Sequence, residues 1–250
     1  MQRSDDLDIV RLGTAGWTIP RAVREAFPDT GSHLERYAAR FTGVEINSSF
    51  YRQHRRSTYE RWAASVPETF RFAVKIPRAI THDQRLVAAD VLLEVFLDEA
   101  IGLGRRLGPL LVQLPPSLAF DAPVAEEFFT VLRALHRGEI ACEPRHDSWF
   151  GPAADALFRS HRVARVAADP ARCLAAGVPG GWPALVYLRL HGPDHRHLYA
   201  GSYSGDDLDW WAARIGEWLA RGHTVHAYFN NDGGGNAVRD AAALRARVGY

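Results

Sequence analysis

The chain has 250 residues, 47% of them hydrophobic, and its 30 Lys and Arg set against 29 Asp and Glu leave a formal net charge of +1. So even a balance supplies no global field toward nucleic acid or an anionic membrane, and no apolar run reaches the length of a membrane span. Two cysteines, Cys142 and Cys173, make neither a disulfide framework nor a ligand cluster, and the polar, acidic start at residues 1–8 does not read as a leader, so a cytoplasmic setting is expected.

Apolar, strand-like runs occur at residues 9–13, 42–47, 70–75, 110–113, 140–143, 163–168, 185–191 and 225–230, with helical patterns between them. After the first run, Ser32 and Glu35 form a capping-box signature ahead of Leu34, Tyr37, Ala38 and Phe41 at helical spacing; Ser57 and Glu60 repeat the device before Trp62. Leu92, Val95, Phe96, Ala100 and Leu103 make an apolar stripe closing at Gly104, and Phe128, Val131, Leu132 and Leu135 make another that ends before Gly138. The pattern around residues 153–159 is short, Leu208, Trp211, Ile215, Trp218 and Leu219 form a long stripe, and Asn236 is placed to cap a last helix through Leu244. Strand alternating with helix from end to end predicts an α/β fold, a single (β/α)8 TIM barrel of eight parallel strands with outer helices over residues 1–250, residues 1–8 being a polar extension.

Nearly every run stops on a polar residue able to do chemistry: Glu45 and Asn47, Lys75, Gln113, Glu143, Asp169, Arg189 and His191, and Asn230. Such residues at the carboxyl ends of barrel strands are what a TIM-barrel active site is built from. Pleat parity puts Glu45 with Asn47, Ala73 with Lys75, Ala141 with Glu143, and Tyr187 with Arg189 and His191, each set on one face. If that face is the lumen, two carboxylates and two cations share a confined space. They then either close the barrel as ion pairs, Glu45 with Lys75 and Glu143 with Arg189, or carry out chemistry.

Pro144 ends its strand and throws Arg145 and His146 over the barrel mouth, His146 either as a base near an anion or as a cap for the next turn. Lys75 could form a Schiff base if desolvated, but the neighbouring Glu45 and Glu143 are expected to keep it charged and give it an electrostatic role. Glu45, Glu143, Asp169 and His191 would suit Mg²⁺, Mn²⁺ or Zn²⁺, yet no HxxE or HxH spacing supports a site, and no cofactor or metal is expected. Phosphate or carboxylate is expected between Arg189, His191 and the loop 231–235, where glycines precede a helix start. Trp17, Phe50, Tyr51, Trp149, Tyr199 and Tyr203 complete the rim, mostly as packing, a subset available to stack on a sugar or a base.

The segments GTAGW at 13–17, VEINSSFY at 44–51, FAVK at 72–75, ITH at 80–82, LGP at 107–109, QLPP at 113–116, EPRHDSW at 143–149, RLHG at 189–192 and FNN at 229–231 occur in this order. Together they resemble the YecE-like family, the domain of unknown function numbered 72, over almost the whole chain. The resemblance implies a TIM-barrel fold and assigns no activity. The glycine-rich loop 232–235 and Asp240, where the family tends to have Asn, depart from its pattern.

The combined expectation is an enzyme of hydrolase or lyase type acting by acid–base chemistry on a small anionic or polyhydroxyl ligand. Glu45 and Glu143 form the acid/base pair, Lys75 and Arg189 stabilise charge, and His191 shuttles a proton. Gln113 and Asn230 orient, and Asn47, Tyr51, His82, Arg145, His146 and Asn231 contact the ligand. The rivals are a non-catalytic metabolite- or nucleobase-binding protein and a metal-dependent phosphoesterase on nucleic acid. Neither membrane nor nucleic acid is an expected partner, and no pattern sets an oligomeric state.

Overall fold

In the structure, a computed structural model describing residues 10–194, 196–232 and 235–249, the strands are short and mostly buried on both faces. β1 (Val10–Thr14), β2 (Gly43–Ile46), β4 (Leu107–Gln113), β5 (Ile140–Glu143) and β9 (Leu185–Leu190) are buried along nearly their whole length, the mark of parallel strands covered by helices. β3 (Arg71–Lys75), β6 (Val163–Arg165), β7 (Ala167–Asp169), β8 (Gly180–Gly181) and β10 (Thr224–Phe229) complete the strands among the described residues. The helices are α1 (His33–Ala38), α2 (Arg56–Ala64), α3 (Asp90–Ala100), α4 (Ala122–Leu135), α5 (Pro152–Ser160), α6 (Gly205–Ala220) and α7 (Asn236–Val248). Residues 1–8, the expected strand start at Ile9, and Gly233 and Gly234 of the glycine loop lie outside the described residues.

The hydrogen-bonded ladder forms two sheets in place of the expected ring of eight strands, one in the order β1-β10-β9-β7 and the other β2-β3-β4-β5-β6-β8. All pairings are parallel except β6 with β8. The expected sixth strand is divided at Val166: before it the chain pairs with β5, after it with β9. Gly180 and Gly181 pair back onto β6; a Cβ on Gly181, at φ +64, would lie 2.5 Å from the Val163 carbonyl. At the other junction Ala15 bridges in parallel to Glu45, and the Gly16 N–H donates to the Glu45 carbonyl at 2.8 Å.

Two apolar clusters follow. The larger packs strands against helices and includes Leu93, Phe96 and Leu97 of α3, Phe128, Phe129 and Leu132 of α4, and Leu208, Trp211 and Ile215 of α6. The smaller, Ala73, Leu111, Ala141, Ala164, Val166, Leu185, Tyr187 and Tyr228, comes from both sheets and fills the space between them. The Ser32–Glu35 capping box forms as expected. Ser57 does not cap: α2 starts at Arg56, so Ser57 falls inside the helix and Glu60 accepts from Arg56 Nε at 3.1 Å. The last helix takes Gly235, at φ 78, as its N-cap, which makes Asn236 its first residue. No helix among the described residues is long and apolar enough to cross a membrane.

Candidate functional site

Small residues set the floor. Ala73 and Ala141 in the inner cluster leave room two residues later, on the same faces, for Lys75 and Glu143, while Tyr187 carries the parity forward to Arg189. Register puts Glu45 beside Ala73 and Gln113 beside Glu143. The floor is a charge network joining both sheets. Arg189 donates from Nε and Nη2 to the two oxygens of Glu45 at 3.0 and 2.8 Å, and from Nη1 to Glu143 at 2.6 Å. Tyr187 donates to Glu45 at 2.9 Å, and Arg145 and His191 approach the second oxygen of Glu143, each at 3.2 Å. Arg189 and Glu45 are almost wholly enclosed, 1% and 0% exposed, so the fork is a buried bidentate pair.

This arrangement corrects two sequence expectations. The partners of Arg189 are both carboxylates, and Lys75 makes no ion pair among the described residues. Its Nζ lies instead 3.8 Å from the centre of the Phe50 ring. Burial first, and the nearby Arg189 charge second, push the Lys75 amine down to about 7 against the pull of Glu45 and Glu143. Nor do the carboxylates read as an acid/base pair. Burial would raise the Glu143 carboxyl, but Arg145, Arg189 and the His191 hydrogen bond overcome it and hold it well below the usual carboxylate range. A group so firmly ionised is a poor proton donor near neutrality.

Above this floor lies a cavity of about 390 Å³. Lys75, Arg78, Arg145 and Arg189 line it together with Asn47, Gln113, Asn230 and His82, and Phe50, Tyr51 and Tyr199 form its aromatic side; no carboxylate of the described residues faces it. The Oδ1 of Asn47 is buried without a hydrogen-bond partner among the described residues. His82 bonds Thr81 Oγ1 at 2.9 Å through Nδ1, and burial with the Arg78 and Lys75 charges lowers it to about 4, so it is neutral. Tyr51 stands 74% exposed at the rim. Glu143 and His191 face an adjoining cavity of about 330 Å³, which shares Arg145 and Tyr199 with the first. The Arg145 Nη2–Tyr199 Oη hydrogen bond, 3.3 Å, marks the boundary. His191 is buried, which lowers its pKa, and Asn230 Nδ2 lies 3.4 Å from its Nδ1; a neutral ring with its proton on Nε2, facing Glu143, satisfies both contacts.

Two expected ligand contacts lie elsewhere. His146 accepts from the Ser148 N–H at 3.2 Å and caps the short turn Asp147–Phe150. Asn231 is enclosed and donates to the Gly201 carbonyl at 2.8 Å and to Asp240 at 2.7 Å, tying its loop to α7. The expected anion position also changes, because all three Arg189 nitrogens already serve Glu45 and Glu143. Of the rim aromatics, Trp17 packs on Trp62 and Trp149 donates to the Leu118 carbonyl from a buried position, whereas Phe50, Tyr51 and Tyr199 reach the cavity. The sequence reading overlooked Arg78, although its signal was there: Pro77-Arg78 after β3 repeats Pro144-Arg145 after β5, a proline ending the strand and throwing the next arginine over the same cavity. It also overlooked that Lys75 is the only lysine in the chain; every other one of the 30 Lys and Arg residues is arginine. No cluster of three metal-ligating His, Cys, Asp or Glu occurs among the described residues.

Several relatives align along nearly the whole chain. The UPF0759 protein YunF of Bacillus subtilis is 25% identical over 261 residues, covering 92% of this chain and 91% of YunF. A crystal structure of a DUF72 family protein from Enterococcus faecalis superposes with a TM-score of 0.82 at 20% identity, covering 96% of each chain. One from Thermotoga maritima gives 0.79 at 24% identity, covering 97% of this chain and 100% of that one. At these identities the structural likeness speaks for the fold. The sequence model of the family described as "Protein of unknown function DUF72" matches residues 11–250, and the chain belongs to that family.

Proposed function

We propose that the two sheets work as one (β/α)8 barrel and that the cavity over Arg189 is the active site of an enzyme for a small anionic, hydroxyl-bearing substrate. The Ala15–Glu45 bridge and the passage of the chain from β6 to β7 support the closed reading, since each spans one of the two junctions. The observation that carries the functional reading is the cavity lining: Lys75, Arg78 and Arg145 with no carboxylate. Arg145 and Arg78 hold the anion and Asn47 accepts from a substrate hydroxyl. Lys75, poised near neutrality, is the group that moves a proton, in the role first read for Glu45 and Glu143. Lyase-type proton transfer fits this set better than hydrolysis by a carboxylate pair, because both carboxylates are bound to Arg189.

Thermal unfolding with phosphate and small dicarboxylates at constant ionic strength tests the anion site. A ligand at a hundred times its dissociation constant adds about 2.7 kcal/mol. Arg145→Ala should lose most of that gain. No shift in the parent, or an equal shift in both proteins, removes the anion from this cavity.

A further inference from the structure

The one lysine of this chain lines the cavity. Arginine stays charged throughout the accessible pH range, whereas an amine can give up its proton and attack carbon. Everywhere else this chain uses arginine for positive charge. Lys75 ends β3 and is only 4% exposed, and that small exposed part lines the cavity. Its charged surroundings are Arg189, Arg145, Glu45 and Glu143 at the floor, with Arg78 and His82 beside it; both carboxylates are engaged by Arg189, and no acid faces the amine from the cavity. Phe50 covers one side of the nitrogen.

We propose that Lys75 is a nucleophile that forms a Schiff base with a small aldehyde or ketone carrying a carboxylate or phosphate group. The inference rests on the reading of the cavity as an anion site and adds the covalent step. The neutral amine attacks the carbonyl carbon, and a proton passes from nitrogen to the former carbonyl oxygen to give a carbinolamine. Uptake of one solvent proton then expels that oxygen as water and leaves an iminium, C=N⁺, linking Lys75 to the substrate. Arg145 and Arg78 hold the anionic group, which brings the carbonyl to the amine. The iminium withdraws electrons from the adjacent carbon and eases loss of a proton or a carbon fragment there, which gives the lyase reading a chemical basis. The fraction of amine free to attack rises through pH 7, because burial places the Lys75 pKa at about 7.

The composition makes the test clean, since Lys75 and the α-amino group are the only primary amines in this chain. The protein is incubated with pyruvate, glyoxylate or dihydroxyacetone phosphate, reduced with borohydride, and read by intact mass and peptide mapping. A single reduced adduct on the peptide holding Lys75 is expected, increasing from pH 6 to pH 8. Hydroxyacetone, which lacks the anion, should label about tenfold more slowly. Preference for the two oxo acids or for the phosphate identifies which anion the cavity takes. Lys75→Arg and Lys75→Met, checked for native circular dichroism, should lose the adduct. The parent measurement decides the matter even if neither variant folds. Labelling confined to the α-amino group with all three anionic probes, while phosphate still raises the unfolding temperature, overturns the Schiff base and leaves the anion site standing. No adduct and no phosphate shift overturn both.

Discussion

Arg189→Met probes whether the floor of the cavity also holds the fold together. The guanidinium makes hydrogen bonds of 3.0, 2.8 and 2.6 Å to two carboxylates that are 0% and 3% exposed, so its loss leaves Glu45 and Glu143 buried without their shared counter-charge. Breaking one buried pair in this way typically costs about 3–5 kcal/mol, and the loss of both Arg189 pairs, with Glu143 keeping Arg145, puts the expected loss near the upper end. That is a large share of the 5–15 kcal/mol by which a domain is typically stable. The pH dependence has a definite sign. In the parent, Glu143 lies well below its ordinary 4.5, so its stabilisation is complete above about pH 4.5 and fades as pH falls through the lower native value. In the variant burial meets less opposing charge, the native carboxyl binds its proton at higher pH than in the parent, and the stability gap narrows as pH falls from neutrality toward 4.5. Urea unfolding of both proteins at about pH 7.5 and about pH 5 reads the gap directly. Adding Glu45→Gln and Glu143→Gln to the variant should recover most of the loss by removing the stranded charges. A loss under about 1 kcal/mol, or an identical loss at both pH values, would show that the network is not the buried, coupled unit described.

Two further outcomes are expected. His191 should be neutral at pH 7 with its proton on Nε2 and should titrate below 6.5; because the native state then binds the proton less readily than the unfolded chain, this residue costs stability as pH falls below 6.5. Nitrogen chemical shifts showing an imidazolium at pH 7 would contradict it. Gly13→Ala should cost about 1–3 kcal/mol, since the new Cβ would lie 2.0 Å from the Gly43 carbonyl oxygen and 2.7 Å from Tyr37 Oη, and an unchanged melting temperature would deny that close approach between β1 and β2.

Much of this molecule was legible in the sequence because the governing patterns are local. The apolar runs found the strands, and pleat parity put Lys75, Glu143 and Arg189 on the faces they occupy, since alternation along a strand needs no knowledge of its neighbours. What parity could not say is which ion binds which. One of the two sequence alternatives paired Glu45 with Lys75 and Glu143 with Arg189; the second pair forms, but the fork of Arg189 also takes Glu45 and leaves the lysine without an ion pair among the described residues, an outcome set by side-chain length and geometry across two sheets. That single difference lowers the Lys75 amine to about 7, because an amine beside occupied carboxylates is governed first by burial. The break of the sixth run at Val166 was hidden for a similar reason, since strand propensity does not reveal a change of partner. Asn231 and His146 sit beside site residues in sequence but serve loop and turn, roles that appear only once Asp240 and Ser148 are in place.

The network under the cavity leaves its upper surface free to diversify. Within it Glu45 and Glu143 offset Arg189 and Arg145, so the floor is electrically closed and contributes rigidity more than field. Under the proposed function, the attraction for an anion therefore comes from Arg78 and the open side of Arg145, and from the polar groups of His82 and Tyr51. Arg78, His82 and Tyr51 lie beyond the strands, where substitution is mild for the fold. Under the proposed function, changes at these three positions would exchange one substrate for another while the buried salt cluster stays untouched, which separates recognition from what keeps the protein folded.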